Sequence, residues 1–203
     1  TAPWRDRLSF MLGRHWMAHG YGWVFPMAHD QLKVGVCRLP PPHADKIPLG
    51  RSLQRLLHRC GLDQLPVLDR HGGRVASTIR RRQPLGAGAL WAVGDAASTA
   101  NLLGGEGIRH AMDSASVLSE CLLKEGSHQD YQVALQRRFG WRWTVSNRLG
   151  RRTWWGLNTA DGDRTITRLI HGLSGQASAE DLSSLLFAYR FERYGWRLLP
   201  YLV

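Results

Sequence analysis

Cysteine is scarce in this 203-residue chain, and the three present, Cys37, Cys60 and Cys121, are odd in number and show no CxxC spacing. That excludes a disulfide framework, argues against a zinc site and fits reduced thiols in a cytoplasmic setting. Lysine is nearly absent too, so the formal charge of +11 rests almost wholly on arginine. No apolar run is long enough to span a bilayer, and the closing Leu198-Leu199-Pro200-Tyr201-Leu202-Val203 is far too short. Any membrane contact is therefore peripheral, and no signal peptide is visible. Internal repeats are absent. Also missing is the strand, GxGxxG turn and helix that would hold an ADP pyrophosphate. Gly86-Ala87-Gly88 offers two of the glycines, but Trp91 stands where the third is needed and the segment precedes a strand. What remains is 43% hydrophobic, too apolar for disorder and ample for a core.

The densest run of signals is Leu90 to Cys121, LWAVGDAASTANLLGGEGIRHAMDSASVLSEC. Leu90, Trp91, Ala92 and Val93 predict a strand covered on both faces, ending at Gly94-Asp95-Ala96, where side chains reach a ligand at the strand tip. Asp95 is placed to accept hydrogen bonds from a ribitol or ribose hydroxyl. Gly104, Gly105 and Gly107 around Glu106 let the backbone approach a flat or phosphorylated ligand closely. The helix opening at Ile108 aims free N–H groups and its positive dipole end at the same place. This order of parts suits a flavin. Ile108, Ala111, Met112, Ala115, Leu118 and Leu122 recur at helical spacing and predict the helix's buried face.

The string GDAASTANLLGGEGIRHAMDSA resembles the second flavin-binding motif of the geranylgeranyl reductase branch of FAD-dependent oxidoreductases. That motif reads roughly GDAAG, a short linker, NP, two residues, GEGI and an AM-S helix. Ser98 stands where the family has Gly, and Leu102 where it has Pro. The resemblance implies FAD as cofactor, bound at Gly94, Asp95, Ala96, Gly104, Gly105, Glu106, Gly107 and Ile108. Because the chain opens at Thr1 without an initiator Met, it reads as the C-terminal part of a longer flavoenzyme, with the dinucleotide fingerprint on other residues or on another chain.

A second motif lies upstream. His19 to Pro26, HGYGWVFP, predicts a strand in which Tyr21, Trp23 and Phe25 share one face, Gly22 removes bulk from the other, and Pro26 closes the end. Plain core packing is one reading of the three aromatics. The same residues resemble the family's substrate-pocket signature, Tyr, any, Trp, any, Phe, Pro, then seven or eight residues and Gly, any, Gly. Gly35 fits it, and Cys37 replaces the last glycine. By that resemblance Tyr21 and Trp23 line a tunnel for an isoprenoid chain, with Phe25, Gly35 and Cys37 beside them. A long isoprenoid can be held by contact area alone, at roughly 0.8 kcal/mol per buried methylene. A proton donor is not identified; Tyr21 is a candidate, although a phenol is a weak acid.

Arg80-Arg81-Arg82 and the segment from Arg137 to Trp155, where arginine alternates with Trp141, Trp143, Trp154 and Trp155, leave three readings. One is a solvated basic face, another an anionic membrane surface, the third nucleic acid. An isoprenoid delivered from lipid favours membrane over nucleic acid. His15 and His19 are four apart, but Gly13 and Gly20 bracket them, which predicts a turn with solvent-facing imidazoles and not a metal pair.

In chain order, Leu8 to Leu12, Tyr21 to Pro26 and Gln31 to Leu39 predict an antiparallel meander, and Leu49 to Cys60 a basic helix with Leu53, Leu56 and Leu57 inward. A strand follows over Arg74 to Arg80. Ser127 with Asp130, and Ser178 with Asp181, predict capping-box helix starts. The expected fold class is α/β (α+β), part of a two-domain FAD-binding flavoprotein. Residues 1–84 form its substrate-binding sheet segment, 85–126 its FAD-binding strand, loop and helix, and 127–203 a C-terminal helical bundle. The expected activity is FAD-dependent reduction of carbon–carbon double bonds of a geranylgeranyl group, with NADPH or a small redox protein as electron donor. The alternatives are a flavin-dependent halogenase or monooxygenase, whose Gly-Trp-any-Trp-any-Ile-Pro segment Gly20 to Pro26 partly echoes, and a non-catalytic basic interaction module.

Overall fold

The computed structural model describes residues 2–45, 47–77 and 84–193. The run Arg80-Arg81-Arg82 and the closing apolar residues lie outside these; of the strand expected over 74–80, residues 74–76 pair with nothing as a strand, Ser77 makes a single bridge to Thr99, and the rest lies outside the described residues. Two compact units emerge. One takes in the chain as far as His71 together with Arg152–Gly175, and the other Gly72–Arg151 together with the chain from Gln176 on.

Alternation of side chains organises the first unit. Strands β1 (Ser9–Leu12), β2 (Gly20–Pro26) and β3 (Leu32–Arg38) pair antiparallel in the order β1-β2-β3, the meander expected from the sequence. Phe10 lies opposite Trp23, Tyr21 opposite Cys37, and Trp23 opposite Gly35. Directly opposed residues share a face, so Phe10, Tyr21, Trp23 and Phe25 gather on one side. On the other, Met11 and Val24 pack with Leu56 of helix α1 (Leu49–Arg59) and with Leu62. Complete burial of Val24 and Leu56 stabilises this layer by roughly 1.5–3 kcal/mol each. Gly22 is what lets α1 come this close, since a Cβ there would stand 2.9 Å from Leu56 Cδ2. Helix α4 (Ala160–Gln176) is fastened to the turn after β1 by Asp163, which accepts from the Arg14 amide at 2.9 Å and pairs with its guanidinium at 3.4 Å. His15 is exposed as expected, but His19 is not. It is buried at φ 60°, its amide donating to the Leu157 carbonyl and its Nδ1 3.1 Å from the Trp155 carbonyl.

In the second unit, strand β4 (Gly86–Ala87) pairs with β5 (Leu90–Trp91), and a 3-10 turn spans Gly94–Ala97. Helices α2 (Ile108–Leu123), α3 (His128–Gly156, as far as Arg151) and α5 (Ala179–Leu186) complete it. Its core joins Leu85, Ala97, Cys121, Tyr131 and Leu135, with Trp91, Val117, Leu118 and Phe139 against it. Both capping boxes are present. Ser127 N–H donates to Asp130 Oδ2 at 2.9 Å while the Asp130 amide donates to Ser127 Oγ at 3.2 Å, and Ser178 with Asp181 does the same for α5. Gly140, at φ 62° and ψ −168°, interrupts α3.

Two further expectations are corrected in this unit. The strand covered on both faces is only the two residues of β5, with Leu90 76% exposed, because among the described residues nothing but β4 pairs with it. The buried stripe of α2 is His110, Ser114 and Cys121, while Ile108 and Met112 are exposed. Hydrogen bonding, not hydrophobicity, puts the first two inside: Ser114 Oγ accepts from the Gly94 amide at 2.8 Å and donates to the Ala111 carbonyl at 2.8 Å. The result is mixed helix and small antiparallel sheets. No described helix is long and apolar enough to cross a membrane.

Candidate functional site

The glycine-rich bend of the second unit is built from its buried asparagine outward. Asn101 is 1% exposed, its amide donating to the Glu106 carbonyl at 2.7 Å and its Oδ1 accepting from the Leu103 amide at 2.9 Å. From α3, Ser146 accepts from Asn101 Nδ2 at 2.5 Å, and Asn147 Oδ1 accepts from the Leu102 amide at 3.0 Å. Proline could not donate that last bond, so Leu102 ties the bend to α3 by a route the family's usual residue lacks. Gly150 permits the approach, since a Cβ there would stand 2.7 Å from the Leu103 nitrogen. Ser98, the other departure, sits at φ 57° and ψ 37°, the left-handed region glycine enters most readily.

The two halves of the motif converge. Gly94, at φ 57°, packs its Cα against Ala111 of α2, where a Cβ would stand 3.0 Å from the alanine Cβ. Asp95 is thereby exposed beside Gly107, whose added Cβ would lie 3.7 Å from Asp95 Oδ1. Ala96 is exposed next to it, and Gly104 abuts the Leu186 carbonyl and Phe187. Gly107 opens α2 with no side-chain cap, so the first-turn amides have no acceptor inside the helix. An open groove of about 720 Å³ runs along this end, lined by residues 105–109 with Met112, Asp113 and Ser116.

Glu106 does not face the amides it precedes. Its carboxylate accepts from Arg109 Nε at 3.2 Å and Nη2 at 2.7 Å, and from the Tyr189 hydroxyl at 2.7 Å. His110 Nε2 lies 2.8 Å from the same hydroxyl, and Arg109 donates to the Phe187 carbonyl. Burial and the neighbouring carboxylate push the Tyr189 phenol well above its ordinary range. Asn101, Ser146, Asn147, Arg109 and His110 were not singled out from sequence, and Tyr189, read there as part of the apolar stripe of α5, instead lies beyond that helix at φ 53°. The one available signal was the i, i+4 spacing of Glu106 and His110; Tyr189 is too distant in the chain for any local pattern to reach.

In the first unit the aromatic face is continuous. Phe10 packs edge-on against Phe25 at 5.1 Å, Tyr21 lies 5.8 Å from Trp23, and Trp23 lies 6.3 Å from Phe25. Trp23 crosses Gly35, where a Cβ would stand 2.2 Å from Trp23 Cζ2. Trp154 stacks obliquely on Tyr21 at 5.1 Å, a neighbour the strand pattern could not announce. The Tyr21 hydroxyl and Cys37 thiol hydrogen-bond across the strands, and burial raises both pKa values above their ordinary range. Tyr21 is thus a poorer acid than a free phenol, and Cys37 is held as the thiol.

No family model matches the chain. In sequence it is similar to the menaquinone reductase of Mycolicibacterium smegmatis, 29% identical over 151 residues, and to that of Mycobacterium tuberculosis, 28% identical over 140 residues. Each match covers 64% of this chain and 33% of the relative, so the chain spans about a third of the length of the curated relatives it matches. In structure it is similar to a geranylgeranyl bacteriochlorophyll reductase-like protein from Thermoplasma acidophilum, with TM-score 0.58 and 21% identity over 94% of this chain and 50% of that one. The resemblance to the geranylgeranyl reductase family is thereby borne out, in fold by the Thermoplasma protein and in sequence by the related reductases of the two mycobacteria.

Proposed function

We propose that this chain is part of an FAD-dependent reductase acting on a carbon–carbon double bond of an isoprenoid group, the isoprenoid being carried by a quinone. The observation that carries the reading is the meeting of exposed Asp95 with Gly107, where the uncapped start of α2 lines an open groove. A helix end with free amides suits an electron-rich carbonyl edge or a phosphate, and an adjacent carboxylate suits a sugar-like hydroxyl. FAD presents all three features. Bound and reduced, it would supply a hydride to one alkene carbon. The chain's own residues hold and orient: Asp95 takes a ribityl hydroxyl, and the amides of Ile108, Arg109 and His110 stabilise charge at the ring edge. The face of Phe10, Tyr21, Trp23 and Phe25 supplies apolar area for the isoprenoid. The sequence relatives, menaquinone reductases, favour a quinone as its carrier over a chlorophyll precursor.

Titration of FAD into the full chain, followed by quenching of flavin fluorescence, tests the cofactor. Asp95→Ala should weaken binding by ~1–3 kcal/mol, the worth of a hydrogen bond or two. Unchanged affinity in the variant rejects the role given to Asp95. Saturation of one side-chain double bond of an isoprenoid quinone by the reduced, loaded protein, read by mass spectrometry of the product, tests the substrate; a product reduced only at the quinone ring rejects it.

A further inference from the structure

A carboxylate one residue ahead of an uncapped helix is drawn electrostatically towards the free first-turn amides. Glu106 occupies that place before Gly107 and α2, yet its oxygens are taken by Arg109 and by the Tyr189 hydroxyl at 2.7 Å. With the phenol proton given to the carboxylate, His110 Nε2 must be the donor across its 2.8 Å contact with Tyr189. His110 is 2% exposed, and its Nδ1 has no hydrogen-bond partner among the described residues, which the bare lone pair of the Nε2–H tautomer tolerates better than an N–H would.

We propose that Tyr189 and His110 are positioning residues that hold the Glu106 carboxylate away from the amino end of α2, keeping its first-turn amides open to an electron-rich ligand. The proposal rests on the FAD reading above for the identity of that ligand. Tyr189 sits at φ 53°, a region bulky side chains avoid, and its two hydroxyl partners hold it there. Arg109, donating to the Phe187 carbonyl, ties the same segment to α2. The charges facing the imidazole are Glu106, Asp113, Arg109 and Arg138, with the Phe139 ring edge-on at 5.3 Å. Removal of the Tyr189 hydroxyl leaves the carboxylate held by Arg109 alone, one restraint fewer against swinging onto the helix end.

Two readouts on the full chain test this. In the ligand-free protein, Tyr189→Phe should move the amide resonances of Ile108, Arg109 and His110 towards hydrogen-bonded values and slow their exchange. With FAD, the same variant should lose several-fold in affinity, and adding Glu106→Ala should restore it, because no carboxylate is left to intrude. General loss of structure predicts the opposite order, with the double variant the weaker binder. Unchanged amide resonances in Tyr189→Phe, or no recovery in the double variant, overturns the proposal. If the wild-type chain takes no FAD, the cofactor reading falls alone, and the ligand-free resonances still decide whether the latch exists.

Discussion

Trp23 can lie across β3 only because residue 35 has no side chain. Gly35→Ala should therefore displace the indole or strain the strand, lowering stability by ~1–3 kcal/mol as overpacking does, measured by urea unfolding. An unchanged midpoint would show that the ring is not pinned. His110 supplies a pH dependence whose sign is fixed by its surroundings. Burial first, then Arg109, lowers its pKa below the ordinary 6.5, so the folded chain refuses a proton that the unfolded chain accepts. Stability is then lost as pH falls through the unfolded value and continues to fall until the depressed folded value is reached. Urea midpoints at pH ~7.5 and ~5 should diverge more for the wild type than for His110→Gln; equal divergence would remove His110 from the account. At this scale the sequence revealed Gly22 and Gly35 through the alternation around them. It did not reveal Asn101 or Tyr189, whose partners are fixed only by folding.

Helix starts were the most legible elements, because a capping box is a local device in which both partners lie within four residues. Ser127→Ala removes one side of the box before α3 and should cost ~1 kcal/mol, read as a lower thermal midpoint. Asp130→Asn should produce a loss in the same direction. The strands of the meander were equally legible, since aromatic and small residues alternate along β2 and each face has one neighbour to satisfy. The segment Leu90 to Val93 was not, because an apolar run implies burial only where other elements exist to cover it, and β4 alone does not. The buried face of α2 was misjudged for a related reason. Hydropathy ranks His110 and Ser114 as surface residues, whereas their hydrogen bonds to Tyr189 and Gly94 make the interior the better place for them.

For the molecule as a whole, a formal charge of +11 governs encounters more than folding. Within the arginine and tryptophan segment, Arg138 pairs with Asp113 at 2.5 Å, Arg142 pairs with Glu192 at 2.6 Å, and Trp143 is buried. Part of the run is therefore internal structure, which composition alone could not separate from a binding surface. The remaining excess of charge leads us to expect that the chain sediments with anionic lipid vesicles at low ionic strength and is released by ~1 M salt, where the Debye length is ~3 Å. Equal retention on neutral vesicles would show that charge is not the cause. The family resemblance was legible because its two motifs are short and tightly spaced. Which residues complete the glycine-rich bend was not, because the bend is fastened by α3 and by the chain near Tyr189, both far away in sequence.

Gly140 gives α3 a property its length conceals. At φ 62° and ψ −168° it breaks the ladder of i to i−4 bonds. The residues flanking it therefore behave as a carboxyl end followed by an amino end, each with its own fraying. The stretch that grips Leu102 and Leu103 through Asn147 and Gly150 thus lies on one side of the break, and Tyr131 and Leu135, seated in the core, on the other. The long helix is two segments end to end, one given to the core and the other to the bend.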